Sequence, residues 1–154
     1  MVSVLRFRSV WGVDGGENYE VWNHWFPSLK AQGYAGVETT IAGRQQLPAI
    51  RSICDKAGLE IIVLYVDKFY GWPDYEGPKP VGRTVEHHLE HYRKQLEIAK
   101  VLRPVKINAH SGDDQWSVEQ SVEFFRGTLK VDTEVGLEGR PSAKVSCLLY
   151  DSWV

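Results

Sequence analysis

At 154 residues and a formal net charge of −2, the chain is long enough for one domain with a sizeable core and too short for two ordinary ones. Its 43% hydrophobic and 25% charged residues are those of a soluble globular protein, and its mild acidity gives no electrostatic reason to expect nucleic acid or an anionic membrane as a partner. No apolar run is long enough to span a bilayer, and Arg6 and Arg8 interrupt the opening run where a secretory leader would need its apolar centre. Without such a leader, Cys54 and Cys147 read as two reduced thiols, and the expected setting is cytoplasmic.

From Val4 to Val13 apolar and basic residues alternate at strand spacing before the breaker Asp14-Gly15-Gly16, which predicts a first strand. Trp22, Trp25, Phe26 and Leu29 then recur at helical spacing, with Pro27 inside the pattern and Gly33 as its C-terminal stop. The run Tyr34–Ile41 predicts a second strand, and Leu47, Ile50 and Cys54 mark one face of a helix from about Gln45 to Ala57 that Gly58 ends. Pro48 suits the first turn of that helix.

Leu59–Val66 is a near-continuous apolar run, the signature of a strand covered on both faces. Residues 67–83 break the rhythm, because Phe69, Tyr70, Trp72, Tyr75 and three prolines make a long connection with no period. Helical spacing returns from about Thr84 to Leu102, with Val85, Leu89, Tyr92, Leu96 and Ala99 on one face and His87 and His91 on the opposite, solvated one. Val105–Ala109 predicts a fourth strand. Ser117 and Gln120 then form a capping-box pattern, opening a helix whose stripe Val118, Val122, Phe125 and Leu129 is expected to be buried; Phe124, Val131 and Val135 form a second apolar flank.

Four strand-then-helix units, joined by connections too long for hairpins, predict an α/β fold with parallel strands. The segments GYAGVETT at Gly33–Thr40 and INAHSGDDQWSVEQSVEFF at Ile107–Phe125 resemble the xylose isomerase-like TIM-barrel family, which includes sugar isomerases and epimerases and the endonuclease-IV-like enzymes. The resemblance covers the chain from the first strand to about Gly136. It implies a partial (β/α)8 barrel of about four units, residues 1–136, followed by a divergent C-terminal tail, residues 137–154. A complete barrel needs about 250 residues.

The resemblance also implies function. In such barrels the site lies at the carboxyl ends of the strands, which brings forward Glu38 and His110 as catalytic candidates, with His110 also the candidate metal ligand. Tyr65 and Asp67 stand where relatives carry a third-strand histidine. Together with Ser111 and Trp72, whose aromatic loop is suited to stacking on a sugar ring, they are the substrate-binding candidates.

The implied chemistry is proton transfer between adjacent carbons of a sugar or sugar phosphate, assisted by a divalent metal such as Mn, Mg, Co or Zn. The relatives' histidine-glutamate-x-histidine-arginine stretch is absent, its place being taken by Leu137–Lys144. The metal set is therefore incomplete in this chain, and inactivity in isolation is expected. The alternatives are a non-catalytic half-barrel that forms a homo-oligomer or pairs with a partner through exposed sheet edges, and an endonuclease-IV-like hydrolase.

Each candidate also has a plainer reading. Glu38 pairs equally well with Arg6, Arg8 or Lys106 on neighbouring strands. His110 suits a hydrogen-bonded turn, and Asp113 and Asp114 favour the start of the following helix. His87 and His91, four residues apart, have zinc-binding spacing but belong better to a solvated helix face.

Overall fold

The alternation read from the sequence becomes five parallel strands and four helices among the described residues. The computed structural model describes residues 4–10, 18–41, 46–65, 84–110, 116–136 and 146–148, the side chains of 110 and 146–148 excepted. The strands are β1 (Phe7–Ser9), β2 (Gly36–Thr40), β3 (Glu60–Tyr65), β4 (Lys106–His110) and β5 (Ser146–Leu148), and the helices are α1 (Tyr19–Ala31), α2 (Leu47–Ala57), α3 (Val85–Ala99) and α4 (Val118–Val135). Every neighbouring pair is parallel and the spatial order is the chain order, β1-β2-β3-β4-β5. Sequential parallel strands with intervening helices are the construction of a β/α barrel, and this chain forms part of one.

The helix ends follow the capping rules. Asn18 accepts a hydrogen bond from the Val21 amide at 3.1 Å, and Pro48 occupies the first turn of α2. Ser117 and Gln120 form the reciprocal pair expected of a capping box, at 3.0 and 3.3 Å. Gly58 and Gly136 end α2 and α4 with φ of +68° and +72°, where a side chain would be strained. Among the described residues Phe7–Ser9 pair with β2 in register, within the Val4–Val13 run; residues 11–13 lie outside the described residues.

The core lies between one face of the sheet and the helices. Val37, Thr39, Ile61, Val63, Tyr65, Ile107 and Ala109 are all at most 4% exposed on that face, and they meet Trp22, Phe26 and Leu29 of α1, Ile50, Ile53 and Cys54 of α2, and Tyr92 and Leu96 of α3. Burial of Cys54 pushes its thiol up to about 12, so it stays protonated and unreactive.

In α4 the buried residues are Phe124, Thr128, Val131, Asp132 and Val135. The expectation for this helix is therefore corrected, since Val118, Val122 and Leu129 are 75, 40 and 65% exposed. A helix with two apolar stripes does not declare which one faces inward; the position of α3 decides. Tyr92 of α3 donates to Asp132 at 2.8 Å. A Cβ at Gly127 would run into Leu89, so the glycine permits a close approach of the two helices. His91 is also corrected, because its Nδ1 lies 2.8 Å from the Tyr65 hydroxyl instead of on a solvated face. His88, 2% exposed and edge-on to Trp116 with ring centroids 4.5 Å apart, is buried where Leu89 was expected to be, Leu89 being only partly covered.

Candidate functional site

Successive residues of a strand point to opposite faces, so the burial of Val37, Ile61, Val63 and Ile107 against the helices assigns Glu38, Thr40, Ile62, Leu64, Lys106 and Asn108 to the other face. Register aligns this inner face in rows. Ser9, Glu38, Ile62 and Lys106 form one, and Thr40, Leu64, Asn108 and Ser146 the next towards the carboxyl ends of the strands. All of the inner-face side chains named in β2 and β3 are partly buried, not sealed. In a barrel this face is the interior, and its carboxyl-end rim is where sites are built.

Glu38 and Asn108 meet across β3. The Asn108 amide nitrogen donates to a Glu38 carboxylate oxygen at 2.7 Å, bridging two strands that do not pair with each other. The bond needs both side chains to reach over Ile62 and Leu64, and the 8% exposure of Asn108 shields it from water. A charge-assisted bond in such surroundings fixes the carboxylate and leaves its second oxygen for another donor. The Glu38 backbone is anchored too, its carbonyl accepting from the Val10 amide at 2.9 Å.

The plainer of the two readings of Glu38 paired it with Arg6, Arg8 or Lys106, whereas its described side-chain partner is Asn108. Arg6 is engaged elsewhere, donating to the Gln32 carbonyl at 2.6 Å and lying over the Tyr34 ring at 5.0 Å. Asn108 was missed because it reads as one polar residue inside a short apolar strand. The available signal was its alternation with Lys106 and His110, which puts all three positions on one pleat.

His110 ends β4 level with Leu148 of β5 and two residues beyond Asn108, so its register position lies on the face that carries Glu38. Asp67, Trp72 and Ser111 lie outside the described residues. Tyr65 is not brought to Glu38. It is 1% exposed on the helix side, its hydroxyl bonded to His91 and its ring edge-on to Tyr92. As a core residue under α3 it stays outside the site built here. A polar cleft of about 220 Å³ lined by Arg51, Asp55, Gly58, Leu59, Glu60 and Arg103 lies at the opposite, amino end of the strands, the end that serves barrel stability. There Arg51 holds the Leu59 and Leu102 carbonyls at 2.8 and 3.2 Å and Asp55 at 2.9 Å.

The divalent cation implied by the resemblance calls for about three protein donors. Among the described residues no three of His, Cys, Asp and Glu come together, so these residues do not by themselves fit the ion and no chemical step is routed through it. No described helix is long and apolar enough to cross a membrane.

No family model matches the chain, and no curated protein does. Solved structures do match in fold. An AP endonuclease of family 2 from Brucella melitensis aligns with 94% of the chain at a TM-score of 0.58 and 13% identity, and a xylose isomerase domain protein from Planctomyces limnophilus with 94% at 0.52 and 16%. Endonuclease IV from Thermus thermophilus aligns with 92% at 0.50 and 17%. The chain spans 54, 51 and 49% of those three proteins respectively. It therefore has the fold of half a xylose isomerase-like barrel.

The expectation that nucleic acid is not a partner is corrected by these likenesses, since two of the three are endonucleases. Net charge is a sum over the surface, whereas phosphates are gripped by a few local side chains and amides. A value of −2 over half a barrel has no bearing on them.

Proposed function

We propose that the chain supplies the first half of a barrel that binds a small polyhydroxylated molecule, a sugar or sugar phosphate, at the carboxyl ends of its strands. The hydrogen bond from Asn108 to Glu38 across β3 carries this reading. It holds a carboxylate rigidly on the open inner face, where one oxygen remains to accept a sugar hydroxyl or to take a proton from carbon. In an isomerase or epimerase that proton leaves one carbon and returns to its neighbour or to the opposite face of the same carbon, with the base regenerated. Glu38 is the residue for that step and Asn108 positions it, with His110, Asp67, Ser111 and Trp72 as the further candidates for contact with the substrate.

Half a barrel offers one wall. Turnover belongs to the assembled barrel, whose second half contributes the opposing donors, and the isolated chain binds weakly and does not react. The test is a titration with aldose and ketose phosphates, followed by NMR at the Asn108 side-chain amide. The reading expects that signal to move in the wild type and to stay still in Glu38→Gln. An unmoved signal at saturating sugar phosphate contradicts it.

The two endonuclease neighbours favour a second reading, in which the same rim meets a nucleic-acid backbone. Anisotropy of a labelled DNA duplex separates the two: binding that weakens in His110→Ala supports the second reading, and none at low salt removes it.

A further inference from the structure

Nothing among the described residues covers the apolar stripe on α4. Val118 is 75% exposed, Val122 40% and Leu129 65%, with Phe125 partly exposed between them. Their spacings of four, three and four residues keep them on one line along the helix, as in a helix-pairing seam. Single apolar side chains are normal on a soluble surface, but an aligned row of this kind marks a contact. The row is distinct from the core, because α4 buries Phe124, Thr128, Val131 and Val135 on an adjacent face beside α3.

The charges beside the row identify what it meets. Glu119, Glu123, Arg126 and Lys130 are all exposed, and helical geometry puts them on one flank of the row, away from the buried face. The acids occupy the first half of that flank and the bases the second. A second α4 running parallel would set acid against acid and base against base. Running antiparallel, it sets acid against base and opposes the two helix dipoles. With a two-fold axis near Glu123 and Phe124, Val118 faces the partner's Leu129, Val122 faces the partner's Phe125, and Glu119 comes beside the partner's Arg126. Each contact then occurs twice, as a two-fold interface requires.

We propose that Val118, Val122, Phe125 and Leu129 form a homodimer seam, packed antiparallel against the same row of a second copy and aligned by Glu119 and Arg126. Four apolar side chains per copy make a contact smaller than a standard interface, so the dimer is weak and its population depends on concentration.

Sedimentation of the full chain between about 1 µM and about 1 mM, the range in which small interfaces populate, tests this. A monomer–dimer equilibrium is expected, and Leu129→Asp abolishes it. Arg126→Glu weakens it by about tenfold, because two attractive exposed pairs become repulsive. Adding Glu119→Arg to Arg126→Glu recovers part of the lost affinity, a recovery that association through the inner face of the sheet would not produce. Circular dichroism confirms that these surface variants keep the fold. A monomer at every concentration, a dimer that survives Leu129→Asp, or a double exchange without recovery overturns the proposal.

Discussion

On the helix side of the sheet Ile61, Val63 and Tyr65 are at most 1% exposed, whereas Ile62 and Leu64, their neighbours in the same strand, remain partly exposed on the other side. The backbone and the hydrogen-bonded register are common to both sets. What differs is the supply of partners, because the helices that cover the outer face are carried by this half of a barrel. Among the described residues no helix covers the inner face. The comparison teaches that the same sheet builds a core on its helix side while its other side stays only partly buried.

Substitutions that respect the comparison differ widely in cost. Phe26→Ala removes a ring that is fully buried on the helix side and stacked on Trp22 at 5.4 Å. It is expected to cost about 3 to 5 kcal/mol in denaturant unfolding. A loss under about 1 kcal/mol would mean that the helix-side core is not formed as described. Tyr92→Phe leaves Asp132 buried without the hydroxyl that donates to it at 2.8 Å, and about 1 to 3 kcal/mol should be lost by the same measurement.

On the inner face Asn108→Ala is expected to cost only about 1 kcal/mol, because Glu38 regains water when its donor goes. Its larger effect should be on sugar-phosphate affinity, read by titration calorimetry, where the moving carboxylate weakens binding. If Asn108→Ala destabilised the fold as much as Phe26→Ala, the inner face would be a second core and the comparison would fail.

A smaller, pH-dependent effect comes from Cys54. In the unfolded chain its thiol ionises from the ordinary cysteine value upward, while in the folded chain it stays neutral up to about 12. Its contribution to stability is therefore complete below the ordinary value and declines as pH rises towards about 12. Melting of Cys54→Ala across that alkaline range should fall less steeply with pH than melting of the wild type. Parallel curves would show that the thiol is not desolvated.

The outer face was legible in the sequence because it is made of local patterns. The stops at Gly58 and Gly136, the capping box at Ser117 and the apolar spacing of α1 and α2 each reflect a requirement met within a few residues. Pairings over long sequence separations were not legible. Tyr65 and Leu64 are adjacent in one apolar run, and only the register with β2 and β4 tells which of them lies under α3. Asn108 finds Glu38 across 70 residues of sequence. In α4 both stripes satisfy the helical period, and the choice between them was made by α3, through Tyr92 and Asp132. The inner-face position of Glu38 was within reach once alternation against Val37 was applied.

The central claim, one face sealed by this chain and one left open, is tested most directly by thiol labelling of Val63→Cys and Leu64→Cys, with Cys147 replaced by serine and buried Cys54 as the internal reference. The cysteine at 64 should be alkylated in the native state. The cysteine at 63 should be protected by on the order of a thousandfold or more, reacting only when the domain opens. Equal and slow labelling at both positions would mean that the chain covers its own inner face, and the half-barrel account would be contradicted.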